Sequence, residues 1–163
     1  MSSHPSEHDG QVLAVAFHPT RSDRLASVGG NGTCKIWTLT TQESETLAVQ
    51  SKMLWSVAWS PNGELLAMGG DDGLIYIWNC VQQDWTTKIP TQAGCIWAIA
   101  FTPDGTQLCI GSQDGKIYLW DIDHGKKIDS LQPKRLYEGL NILDATGLTA
   151  AQLQSLERLG ARV

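Results

Sequence analysis

Three stretches of this chain are copies of one another. LAVAFHPTRSDRLASVGGNGTCKIWTL, WSVAWSPNGELLAMGGDDGLIYIWNC and WAIAFTPDGTQLCIGSQDGKIYLWDI align along their length. Pro19, Pro61 and Pro103 recur at intervals of 42 residues, and Trp37, Trp78 and Trp120 at 41 and 42. The one-residue difference lies after Pro19, where TRSDR replaces a shorter turn. A fixed period of this length means that each copy is one supersecondary unit. Such a unit cannot bury its own apolar faces and must stack on neighbours.

Each copy reads as four strands. VLAVAF, LWSVAW and IWAIAF are apolar, β-rich runs that end at His-Pro, Ser-Pro and Thr-Pro. Proline has no amide hydrogen to donate, so the first strand stops there. Asn62-Gly63 and Asp104-Gly105 supply turns. RLASVG, LLAMGG and QLCIGS follow as second strands. Asn31-Gly32, Asp72-Gly73 and Asp114-Gly115 then predict two-residue hairpins into the third strands CKIWTL, IYIWNC and IYLWDI. Weaker fourth strands are ETLAVQ, DWTTKI and KIDSLQ. The first two strands of each copy are almost continuously apolar, as in a sheet covered on both faces. The fold expected is all-β. Residues 1–132 should form three four-stranded antiparallel propeller blades, at about 8–49, 50–91 and 92–131, making a partial propeller. Residues 133–163 should form a tail with a helix at about 149–159.

Composition narrows the function. Hydrophobic residues make up 42% and charged residues 18%, which is globular and not disordered. The formal net charge is −5, and the longest basic clusters, Gly125-Lys126-Lys127 and Lys134-Arg135, are too short to neutralise many phosphates. No nucleic-acid partner is expected. The N-terminal MSSHPSEHDG lacks the apolar core of a signal peptide, and no run approaches the roughly 18 apolar residues of a spanning helix. A soluble, cytoplasmic chain with no membrane partner is expected, and the initial Met with its polar lead suggests a complete reading frame. Cys34, Cys80, Cys95 and Cys109 form no C-x-x-C pair, so free thiols packed as small hydrophobes are expected, without zinc or disulfides.

The repeated Phe/Trp-x-Pro, the x-Gly hairpin and the Trp that closes the third strand resemble the WD-repeat family over about residues 8–131. Only Trp120-Asp121 is a literal Trp-Asp pair; Trp37-Thr38 and Trp78-Asn79 stand in the other copies. The resemblance implies a buried polar network of His, Ser or Thr, Asp and Trp in each blade. A buried indole needs an acceptor, a hydroxyl can pass the bond to an imidazole, and an Asp can hold the imidazole and the hairpin amides. Blade one offers His8, Ser27, Asn31 and Trp37 at these places. Blade two offers Gln50, Met68, Asp72 and Trp78, and blade three Gln92, Ile110, Asp114 and Trp120. The indoles of Trp78 and Trp120 therefore need a backbone carbonyl, a carboxylate or water. All three tryptophans are expected to be largely buried.

The resemblance also implies a partner-binding face where the loop into each first strand emerges. The positions that reach it are Gln11 and Leu13, Met53 and Trp55, and Cys95 and Trp97. Gly30, Asp71 and Gln113, just before the hairpin Asn or Asp, join them. Aromatic residues and Met are enriched at interfaces. The alternative for Trp55 and Trp97 is inter-blade core. A protein or peptide is the partner expected.

No enzyme chemistry is expected. His4, His8, His18 and His124 show no i, i+4 zinc spacing, and neither G-x-S-x-G nor G-x-x-x-x-G-K-[ST] occurs. Gly29-Gly30-Asn31-Gly32, Asp71-Asp72-Gly73 and Asp121-Ile122-Asp123 read as turns, lacking the further ligands of phosphate or calcium sites. No cofactor and no metal are implied. An active site near the central channel is the remote alternative.

Three blades cannot close a ring, since closed propellers typically have 4–8. Two apolar faces would stay open, and soluble monomers seldom expose such patches. A two-fold dimer pairing the Val12–Phe17 side with the Ile117–Trp120 side would give about six blades. Otherwise the chain completes a larger propeller. The tail resembles the terminal segment of many large bacterial WD-repeat proteins, which often carry regulatory ATPase or kinase domains. Thr149 and Gln152 fit a capping box, with Leu148 and Leu153 at the staple positions. Leu153, Leu156 and Leu159 form a narrow apolar stripe that ends at Gly160. It serves either as a packing cap or as a partner-recruiting helix.

Overall fold

The computed structural model describes residues 8, 10–49, 51–132, 149–159 and 161–162. The chain divides into two compact units, Met1–Leu131 and Gln132–Val163.

The first unit holds three four-stranded antiparallel sheets, each in simple sequential order. Blade one is β1 (Val12–Phe17), β2 (Arg24–Gly29), β3 (Thr33–Thr38) and β4 (Glu43–Ala48). Blade two is β5 (Leu54–Trp59), β6 (Leu65–Gly70), β7 (Leu74–Asn79) and β8 (Asp84–Pro90). Blade three is β9 (Ile96–Phe101), β10 (Gln107–Ser112), β11 (Ile117–Asp121) and β12 (Lys126–Leu131). The first strands lie side by side, β1 against β5 and β5 against β9.

The connections between second and third strands differ from the expected two-residue hairpins. Three residues, Gly30-Asn31-Gly32 and Asp71-Asp72-Gly73, span them in blades one and two. Gly32 (φ +71°), Gly73 (+71°) and Gly115 (+78°) take the left-handed conformation that ends such a loop. The Asn or Asp side chain caps the turn two residues on, as in Asn31 Oδ1 accepting from Thr33 N (3.3 Å) and Asp72 Oδ1 from Leu74 N (3.0 Å).

Strand alternation gives every blade two faces. Ala26, Val28, Cys34 and Ile36 of blade one pack on Leu66, Met68, Tyr76 and Trp78 of blade two. Ala67, Ile75 and Ile77 on the opposite face of blade two pack on Leu108, Ile110, Tyr118 and Trp120 of blade three. At both junctions small and β-branched residues thus face forward and larger residues face backward. His18 latches the first junction. Its ring packs at a 56° tilt against Trp59 (4.6 Å between centroids), and its Nε2 meets the Gly63 carbonyl at 3.2 Å. A Cβ at Gly63 would lie 2.2 Å from that ring. Trp59 Nε1 donates to the Ala16 carbonyl at 3.1 Å.

Trp78 and Trp120 are buried, and Trp37, on the backward face of blade one, is somewhat less so. One expectation is corrected. Trp120 does not belong to the open face of blade three. It points back into the blade-two junction, and Ile117 and Leu119 face outward instead.

In the second unit α1 (Ala150–Arg158) has Thr149 as N-cap, with both halves of the capping box formed to Gln152. None of its residues is buried. Leu148 and Gly160, given roles as staple and terminator, lie outside the described residues, as does Gln50.

Candidate functional site

In blade one the network residues converge. Trp37 Nε1 donates to Ser27 Oγ (2.8 Å), and Ser27 Oγ meets His8 Nε2 (2.7 Å). His8 Nδ1 meets Thr33 Oγ1 (3.3 Å), which donates to Asn31 Oδ1 (2.8 Å). With the imidazole neutral, Ser27 accepts from the indole and donates to Nε2, and the Nδ1 hydrogen goes to Thr33. Desolvation by burial, followed by the positive charge of Lys35, holds the His8 pKa below the usual histidine value.

Blades two and three replace this relay with a Tyr–Asp clamp. Tyr76 Oη donates to Asp72 Oδ2 at 2.6 Å, and Tyr118 Oη to Asp114 Oδ2 at 2.5 Å. Bonds from Ser112 and then Tyr118 hold Asp114 below the usual carboxylate range. Desolvation, and then the bond to Asp72, pushes the Tyr76 phenol up. With Met68 and Ile110 in place of Ser27, the buried Trp78 and Trp120 indole N–H groups have no acceptor, carbonyl or carboxylate, among the described residues. The sequence reading missed the clamp, although its signal, Asp-Gly-x-x-Tyr, occurs at both Asp72 and Asp114.

The rim positions share one construction. The residue before the hairpin Asn or Asp donates its amide to the residue before the first strand. Gly30 N bonds Gln11 O (2.9 Å), Asp71 N bonds Met53 O (3.2 Å), and Gln113 N bonds Cys95 O (2.9 Å). Side chains reinforce two of these rungs. Asp71 Oδ1 accepts from Met53 N (3.2 Å) and Ser51 Oγ (2.7 Å), and Gln113 Oε1 from Cys95 N (3.3 Å). Desolvation alone would raise the pKa of Asp71, but the bonds from Ser51 and the nearby amides outweigh it and hold the carboxyl low. Leu13, Trp55 and Trp97 each fall where the register skips one residue, between Val12 and Ala14, Leu54 and Ser56, and Ile96 and Ala98. A bulge re-aims the extra side chain. The structure brings Trp55 and Trp97 together, with ring centroids 5.1 Å apart and planes at 55°. Trp55 is half-buried beneath Trp97, which is 48% exposed.

Three stacked four-stranded antiparallel blades, their first strands adjacent and their Asn/Asp hairpins on one rim, define a β-propeller repeat protein. The chain belongs to the WD40 family. The family model described as Anaphase-promoting complex subunit 4 WD40 domain matches residues 57–142, over half of the chain, and the model WD domain, G-beta repeat, matches residues 2–38. The chain is similar to the protein transport protein SEC13 of Saccharomyces cerevisiae, 37% identical over 79 residues, covering 44% of this chain and 27% of that protein. It is also similar to the chromatin assembly factor 1 subunit FAS2 homolog of Oryza sativa subsp. japonica, 35% identical over 88 residues, covering 47% and 17%. A solved structure of U3-55K superposes with TM-score 0.73 at 17% identity, covering 78% of this chain and 41% of that one, and shows the shared fold. The chain spans about a quarter or less of the length of these curated relatives. Among the described residues no helix is long and apolar enough to cross a membrane.

Proposed function

We propose that this chain is a non-catalytic scaffold that binds a protein or peptide on its rim. Gln11, Leu13, Met53, Trp55, Asp71, Cys95, Trp97 and Gln113 would form the contact surface. The supporting observation is the thrice-repeated rim rung, with the bulged Trp55 and Trp97 beside it. It fixes backbone at the rim while leaving Gln11, Gln113 and Trp97 in solvent. Rigid elements that present exposed aromatic and amide side chains suit recognition. The buried hydroxyl–imidazole pair of Ser27 with His8 does not support catalysis. Its hydroxyl is buried and committed to the Trp37 indole and the imidazole, and an amide, not a carboxylate, ends the relay. The scaffold works in the cytoplasm, without cofactor or metal, in a form whose two open blade faces are covered by self-association or a companion chain. The blades (1–132) and tail (133–163) are its two working parts. A second reading, favoured by the small share of its relatives that the chain spans, makes it the C-terminal propeller part of a larger regulatory protein linked to an ATPase or kinase domain.

The test is peptide-library selection on the purified chain, repeated with Gln113→Arg and Met53→Glu. Peptides that bind saturably and lose at least about tenfold in affinity on both variants (about 1.4 kcal/mol) support the rim. Absence of saturable binding, or binding indifferent to both changes, overturns it.

A further inference from the structure

We infer that the occupant of both open faces is a second copy of this chain, docked head to tail so that two copies close one ring. This rests on reading the chain as a partial propeller scaffold. The argument comes from register, because the same positions occur three times and their surroundings can be compared. On the backward face Val57 and Ile99 are 7% and 8% exposed, whereas their counterpart Val15 is 59% exposed. Val12 and Phe17 are exposed in the same way, where Leu54 and Trp59 are buried. On the forward face Ile75 and Ile89 are 0% and 2% exposed, whereas their counterparts Ile117 and Leu131 are 46% and 54%. Blade three therefore ends in a forward face of the kind that blades one and two cover with a backward face, and blade one begins with such a backward face.

Steric fit permits the pairing. A Cβ at Gly69 would lie 2.8 Å from Ile96 Cγ2 and 2.9 Å from Ile99 Cδ1, so Gly69 is the socket for two isoleucines. Gly111 holds the same register position in blade three, and a Cβ there would meet only Ala98, at 3.5 Å. The residues that would fill its socket in the same geometry are Val12 and Val15, each smaller than the isoleucine it replaces. Trp97 would likewise meet Leu13 of the second copy, as Trp55 meets Trp97 within the chain. A head-to-tail contact makes a closed ring when its rotation closes. Two copies of three blades give six, inside the usual 4–8, whereas three copies give nine.

Sedimentation velocity of the whole chain at micromolar concentration tests this. The wild type should run as a single species of twice 17.8 kDa. Gly111→Leu fills the socket without crowding the isolated chain, and Val15→Glu charges an exposed residue. Each variant alone should be monomeric with an unchanged far-UV CD spectrum. Their equimolar mixture should regain a 1:1 dimer, because one chain keeps its backward face and the other its forward face. A monomeric, aggregated or higher-order wild type overturns the inference. So does Val15→Glu remaining dimeric, which would mean forward faces meeting each other, or a mixture that stays monomeric. Peptide binding at the rim by a monomeric wild type sinks this inference alone. A dimer that binds no peptide sinks the scaffold reading alone.

Discussion

The closing tryptophan of blade one donates to Ser27 and is partly open to solvent, while its counterpart in blade two, Trp78, is buried beside Met68 with no acceptor for its indole among the described residues. The two blades follow the same strand order and register and differ here in cover and in the residue beside the indole, Ser27 against Met68. Leaving an indole donor unpaired in the interior costs about 1–3 kcal/mol. Burying the ring of a large aromatic gains about 1.5–3 kcal/mol, and Met68 and Tyr76 pack against it in the same cluster. Blade two, covered on both faces, can carry the unpaired donor. Blade one has less burial to set against it, and there the polar relay is used.

The largest expected effect is the loss of a closing tryptophan. Trp78→Ala should destabilise the chain by about 3–5 kcal/mol, the range for removing a core aromatic. Trp37→Ala should cost roughly 1–2 kcal/mol in a monomeric chain, where part of that ring faces water, and nearer the Trp78 value once a second copy covers it. Denaturant melts of the two variants at low and high protein concentration check this. Costs that do not converge as the chain associates would mean that the backward face of blade one stays uncovered.

A smaller effect separates relay from clamp. Ser27→Ala strands both the Trp37 donor and the His8 acceptor, and should cost about 1–3 kcal/mol. Tyr76→Phe leaves an Asp72 carboxylate that is exposed and can be solvated, so its cost should be nearer about 0.5–1.5 kcal/mol. Thermal melts in one buffer rank the pair. The reverse order would show that the Tyr–Asp bond, and not the Trp–Ser–His relay, is the stronger polar fixture.

The strands were legible in the sequence because their limits are set locally. Proline closes β1, β5 and β9 at the expected residues, and glycine with left-handed φ closes the hairpins. The blade-one relay was implied only by the family resemblance of His8, Ser27 and Trp37, which the structure places within hydrogen-bond reach of one another. Hairpin loop length was not legible. Asn-Gly favours a two-residue turn taken alone, but the rung from Gly30 to Gln11 draws one more residue into the loop. The stacking of Trp55 on Trp97 and the His18–Gly63 latch were not legible either. Both are contacts between blades, and nothing inside one repeat specifies them. The open or covered state of Trp37 depends on a neighbour that lies outside its own blade.

The smallest expected effect is a pH dependence that the relay has and the clamp lacks. The bond order in blade one suits neutral His8, with a hydrogen on Nδ1 only. Protonating Nε2 would aim a second hydrogen at Ser27 Oγ, which already accepts from Trp37 and would have to redirect its own hydrogen. The folded chain therefore resists this proton more than the unfolded chain does, in line with the lowered pKa of His8. When the folded pKa lies below the unfolded one, the unfolded chain binds more protons between the two values, and stability rises with pH there. The contribution is full above the ordinary histidine value of 6.5 and is lost as pH falls from there through the folded value. His18 is shifted in the same direction, chiefly by burial, so it adds to the same loss. The lowered carboxyls Asp71 and Asp114 act only below their ordinary value of 3.8, outside this window. Thermal melts at pH 7.5, 6.5 and about 5.5 should show the wild type losing stability toward the acid end. His8→Gln should lose less over the same range, retaining only the His18 share. Equal slopes for the two proteins would mean that His8 does not change charge on unfolding, and that the one-directional relay in blade one is wrong.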